Sequence, residues 1–119
     1  MKALLLVAHG SRRAESNEEI AQLAMRVAAR AGDDFGLVQH AFLELADPLI
    51  PDGIELCIAS GATSVQVVPY FLARGTHVVD DIPEQVAIKQ AQYPDMDIRI
   101  TNYLGTSDEL VDVLLKLAS

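Results

Sequence analysis

A chain of 119 residues, half of them hydrophobic and 22% charged, is enough for one domain with a single core and too little for a multidomain machine. Its formal charge of −8 excludes broad binding to nucleic acid or to an anionic membrane, since both need a basic face. The absence of Trp leaves no obvious stacking platform for bases, and the lone cysteine, Cys57, excludes an internal disulfide.

In chain order, residues 4–8 are continuously apolar, as in a parallel strand buried on both faces. They do not read as a secretion signal, because the run is short and His9-Gly10-Ser11-Arg12-Arg13 follows in place of a cleavage site. No stretch approaches the roughly 18 apolar residues of a membrane span. Together with the unpaired cysteine, this gives the expectation of a cytoplasmic protein.

Residues 14–31 place Ile20, Leu23, Ala24 and Val27 on one helical face, with Gly32 as the stop. Residues 35–43 read as a second strand. A second helix is expected over 48–60, with Asp47 as N-cap, Pro48 at the first helical position and Cys57 a buried thiol. Val65, Val67 and Val68 mark a third strand over 63–71. A loop from Leu72 to His77 leads to a third helix over 81–92, with Pro83 in its first turn. Residues 96–103 form the fourth strand, and 107–117 the last helix, with Asp108 and Glu109 favourable to its dipole.

Alternating strands and helices predict one open α/β domain over 1–119, a mainly four-stranded parallel sheet with helices on both faces. A single small core gains from association with a second copy. In such sheets ligands bind at the carboxyl ends of the strands, near the reversal of strand order. His9 falls just past the first strand, Glu44 just past the second, and His77 in the loop after the third. Imidazole and carboxylate suit cobalt, nickel, iron and zinc, and two His with one acid leave coordination positions open for a metal in transit. Each residue alone has a plainer reading, as a loop hydrogen bond or a solvated acid; their joint placement is the argument.

Arg12, Arg13 and Arg74 flank the same edge, where cations on an acidic protein receive an anionic substrate. Gly10, Gly75 and Gly105 permit tight turns or positive φ there. None forms a phosphate cradle. The acidic run Asp80-Asp81-Ile82-Pro83-Glu84 is accounted for as the first turn of a helix, and His40, inside the second strand, as a partly buried core histidine.

The segment Leu5-Leu6-Val7-Ala8-His9-Gly10-Ser11-Arg12 resembles the opening motif of the sirohydrochlorin chelatases, the class II family that includes cobalt chelatases. The segment from Ala41 to Pro48 is similar to the family's second-strand motif. A third likeness runs from Val67 through Arg74-Gly75-Thr76-His77-Val78 to Asp81-Ile82-Pro83. The resemblance implies a chelatase-like, flavodoxin-like topology and insertion of a divalent metal into sirohydrochlorin or a related tetrapyrrole without ATP. It maps the two family histidines onto His9 and His77 and the motif glutamate onto Glu44. Cobalt is the expected substrate metal, with nickel and ferrous iron as alternatives, and no tightly bound cofactor is expected. It also implies the short form, a homodimer with the site near the subunit junction.

On this reading His9 and His77 hold the metal and accept pyrrole protons, with Glu44 completing the site or relaying protons. Arg12, Arg74, Ser11 and Gly75 are the expected substrate-binding residues. A non-catalytic cobalt, nickel or tetrapyrrole carrier would use the same groups. A histidine phosphoryl-transfer enzyme ranks last, because Ala8 stands where that chemistry wants an Arg before the His.

Overall fold

A computed structural model describes residues 1–119. Strands β1 (Lys2–Ala8), β2 (Leu37–Phe42), β3 (Ser64–Pro69) and β4 (Asp97–Ile100) alternate with helices α1 (Ala14–Ala31), α2 (Ile50–Ala59), α3 (Ile82–Gln92) and α4 (Glu109–Ala118). The strands form one sheet in the order β2-β1-β3-β4, and every neighbouring pair is parallel. The chain therefore steps outward from β1 to β2, then crosses back over β1 to β3. Strand order reverses between β1 and β3, which makes that edge the expected ligand position of a flavodoxin-like sheet.

The two-residue period of the strands sorts the core. Ala3, Leu5 and Val7 of β1 join Ala41 of β2 and Val65 and Val67 of β3 on one face. Against them pack Ile50, Ile54 and Cys57 of α2 with Ile82 and Val86 of α3, in one cluster. On the opposite face Leu6, Ala8 and Phe42 are buried, together with Ala24 of α1. So α1 covers one face while α2 and α3 cover the other. Cys57 is fully buried in this core, and burial pushes its thiol up to about 11, as an inert structural cysteine requires.

Three local expectations are corrected. Helix α2 starts at Ile50 with Leu49 as its cap, so Asp47 and Pro48 are not its N-cap and first position. The reason is that the Pro48 carbonyl accepts from the Phe42 N–H and Leu49 bridges to Phe42, which keeps this stretch extended alongside β2. The third helical segment starts early, as a π-helical turn over His77–Asp81 that runs straight into α3. Finally, α4 is helical where expected but does not cover the sheet: none of its residues is buried, and Val111, Val113, Leu114, Leu115 and Leu117 are all exposed. No helix is long and apolar enough to cross a membrane.

Candidate active site at the strand switch point

His9, Glu44 and His77 come together on the carboxyl edge because β1, β2 and β3 end there side by side. Pairing continues past the strands: the Leu43 N–H donates to the Ala8 carbonyl and the Glu44 N–H to the His9 carbonyl. This carries Glu44 alongside His9, and His9 Nε2 lies 3.7 Å from Glu44 Oε1. Closeness of the two backbones demands Gly10, whose φ is 96° and whose Cβ, if present, would sit 1.8 Å from the Glu44 carbonyl oxygen. Leu45, next in line, is the sole non-glycine residue with positive φ (68°) and is half exposed at this edge. Neither Gly nor Asn, it carries no sequence signal for that conformation, which persists only because the neighbouring contacts impose it.

The His77 ring stacks edge-on against the His9 ring, with centroids 4.7 Å apart and planes at 63°. Each imidazole is oriented by a local acceptor. His9 Nδ1 lies 2.9 Å from the Gly10 carbonyl, and His77 Nδ1 lies 2.8 Å from Asp81 Oδ2. A carbonyl only accepts, and a carboxylate accepts when ionised, so both rings carry their proton on Nδ1. In the neutral ring this makes Nε2 the nitrogen with the lone pair, the one that can take a metal or a proton. The two rings and both acids are each roughly half exposed, open to a ligand arriving from solvent.

Asp81 is the residue that the sequence reading missed. Its acidic run looked like a dipole-favouring first turn. The signal lay in its spacing: in a turn that begins at His77, a carboxylate four residues on meets the imidazole. No group of three or more His, Cys, Asp or Glu side chains is gathered as a metal-holding cluster. The expected ligands His9, Glu44 and His77 meet only as the pairs His9–Glu44 and His9–His77, with Asp81 added beside His77, because they hang from separate strand ends rather than from one turn.

The substrate-binding candidates divide. Arg74 is exposed and forms no ion pair; it lines a groove on the β4 side of the site. Arg12 is exposed close to His9 in sequence, while Arg13 pairs with Glu15 at 3.9 Å on the surface. Ser11 is occupied locally: its hydroxyl accepts from the Arg13 N–H, and its backbone pairs both ways with the Asn17 side chain, which shapes the entry to α1. Gly75 is not needed for positive φ or for room, since a Cβ there meets nothing within 4 Å. Its carbonyl instead accepts from the Val78 and Val79 N–H groups and starts the turn that carries His77. His40 lies half-buried on the α1 face, edge-on to Phe42 at 5.6 Å and away from the other two histidines in the sheet plan; burial holds its pKa down against the pull of Glu18.

Comparison with known proteins agrees with this fold. The CbiX family model matches residues 3–119. The chain is 34% identical over 116 residues to a sirohydrochlorin ferrochelatase of Priestia megaterium, an alignment covering 98% of this chain and 43% of that protein. With a sirohydrochlorin cobaltochelatase of Methanocaldococcus jannaschii it is 30% identical, over 99% of this chain and 98% of the relative. Among solved structures, the sirohydrochlorin chelatase SirB of Bacillus subtilis subspecies spizizenii, in complex with cobalt, superimposes with a TM-score of 0.88 at 33% identity, over 97% of this chain and 48% of SirB. The chain thus spans about half the length of the ferrochelatases and of SirB, and nearly the full length of the archaeal cobaltochelatase.

Proposed function

The chain belongs to the CbiX family, and from that premise we propose that it inserts a divalent metal into sirohydrochlorin or a closely related tetrapyrrole, without ATP. Cobalt is the first candidate, nickel and ferrous iron the alternatives, since all three accept imidazole and carboxylate. The observation that carries the reading is the pair of facing imidazoles at the strand reversal, each with its Nδ1 proton tied down and its Nε2 lone pair free.

Metallation requires a metal to shed water and two pyrrole N–H groups to lose their protons. His9 and His77 supply nitrogen donors that hold the metal while it desolvates, and neutral imidazoles that take up protons. Glu44, beside His9 Nε2, binds the same metal or accepts a proton from His9. Asp81 stabilises His77 when it becomes imidazolium and keeps its ring in place. With two histidines and one carboxylate the metal keeps open positions for ring nitrogens, so it can leave the protein. The edge also shows exposed Leu45 and Leu72, suited to the flat face of a macrocycle.

The working unit on this reading is a homodimer in the cytoplasm. Longer relatives carry about as much chain again as this one, and α4 exposes an apolar face with no cover in its own chain. A second copy supplies that cover.

The test is an anaerobic absorbance time course of sirohydrochlorin with Co²⁺ and substoichiometric protein. Many turnovers, faster than without protein and reduced about 100-fold or more in His77→Ala, are the expected result. Conversion limited to one equivalent leaves a metal or tetrapyrrole carrier; conversion at the uncatalysed rate overturns the chelatase reading.

A further inference from the structure

We infer that the groove between the π-helical turn and the end of β4 is a subsite for a carboxylate-bearing side chain of the tetrapyrrole, with Asn102 and Tyr103 as its specificity residues beside Arg74. The inference rests on the chelatase reading and deepens it.

The groove has a volume of about 450 Å³ and is walled by Arg74, Val79, Thr101, Asn102, Tyr103 and Thr106, among others. It belongs to the same carboxyl edge as His77, since Val79 sits on the turn that His77 opens. Its lining contains a guanidinium and no carboxylate, in a protein of net charge −8. The open groove along α1 contrasts with it: there Glu15, Glu18 and Glu19 outnumber the single cation Arg26, and the net negative lining disfavours an anion.

Donor chemistry narrows the ligand further. The hydroxyls of Thr101 and Thr106 are spent on the backbone carbonyls of Asn102 and Tyr103. What remains to donate is the Arg74 guanidinium, the Asn102 amide and the Tyr103 phenol. None of these is engaged by another side chain of the protein. Three N–H or O–H donors with one cation suit a carboxylate at the end of a short aliphatic arm, which the Val78 and Val79 side chains flank.

The turn bearing Asn102 and Tyr103 is clamped in place. The Gly105 N–H donates to the Phe71 carbonyl at 3.0 Å, and a Cβ at Gly105 would lie 1.8 Å from the Leu72 carbonyl oxygen. The β4 turn is thus pressed onto the loop that leads to Arg74. Residues far apart in the chain are held as one wall, at a distance set by the absence of a side chain.

The test measures binding of metal-free sirohydrochlorin by absorbance or fluorescence titration, and steady-state KM and kcat with Co²⁺, for the wild type, Asn102→Leu, Arg74→Gln and the double variant. Asn102 is exposed, so its replacement leaves folding intact, which a thermal melt verifies. Each single variant is expected to weaken tetrapyrrole binding and raise its KM about tenfold, leaving kcat and the KM for Co²⁺ unchanged. The double variant is to lose far less than the product of the two, since both donors serve one carboxylate. Unchanged binding in Asn102→Leu, or losses that simply multiply, overturns the subsite. A wild type that turns over normally while Asn102→Leu is unaffected removes only this inference, whereas an inactive wild type removes the chelatase reading itself.

Discussion

The centre of the sheet and its β4 edge obey the same βα grammar with opposite results. Around β1 and β3 every second residue is sealed: Ala3, Leu5, Val7, Val65 and Val67 have no exposed surface. At β4 the matching positions are looser, with Ile100 exposed although it pairs with buried Val67, and the helix that follows buries nothing. The difference teaches that one part of this chain is stabilised internally and carries the candidate site, whereas the other leaves apolar side chains that the chain itself does not cover. A βα unit at the edge of a small sheet has no strand beyond it and no second helix layer to close over it.

The largest effect that sharpens this comparison is in the sealed region. Ile54→Ala removes a fully buried side chain between α2 and the sheet and is expected to cost about 2–5 kcal/mol in chemical denaturation. A cost under 1 kcal/mol would mean that this face is no better packed than the β4 end. At the edge of that region, Asp81→Ala leaves His77 without its acceptor. The expectation is a loss of roughly tenfold or more in kcat/KM for metal insertion, with the melting temperature nearly unchanged because Asp81 is part exposed. Loss of stability equal to the loss of activity would reduce Asp81 to a structural contact.

In the loose region the expectation reverses. Leu114→Asp on α4 should leave the stability of the isolated chain within about 0.5 kcal/mol while abolishing association, read by light scattering on a sizing column. A dimer that survives the substitution would send the search for its interface elsewhere. The smallest effect concerns His40. Burial holds its pKa below the ordinary 6.5, so the unfolded chain binds the proton more tightly than the folded one. The stability due to this group is therefore complete above about pH 6.5 and drains away as pH falls toward the lowered folded value. Between pH 7.5 and 5.5 the wild type should lose on the order of one degree more of melting temperature than His40→Gln. Equal losses would mean that the Glu18 attraction cancels the burial.

Legibility of the elements in the sequence did not follow that division. Apolar runs and helical periods located all four strands and helices within a few residues, the loosely packed β4 and α4 included, and the parallel sheet followed from the length of the crossovers. The placement of His9, Glu44 and His77 near one another was readable because each stands past the end of a strand, and strand ends in a parallel sheet converge. Less legible were features that depend on how one loop lies on another. Asp81 pairs with His77 only because the helix starts a turn early, which the Gly75 carbonyl initiates. Ser11 turned inward to Asn17 and Arg13, a competition between side-chain and backbone partners that spacing does not reveal.

By itself, then, the sequence determined the class of fold, the carboxyl edge as the place of the candidate site and the residue types standing there, because those depend on local periodicity and on the order of elements. The tertiary structure alone decided which nitrogen of each histidine is free, which arginine faces an open groove and which helix lacks a partner. These turn on distances of a few ångströms between segments remote in the chain. Hydrogen bonds and close backbone approaches such as those at Gly10 and Gly105 set such distances, and no periodicity in one segment encodes the position of the other.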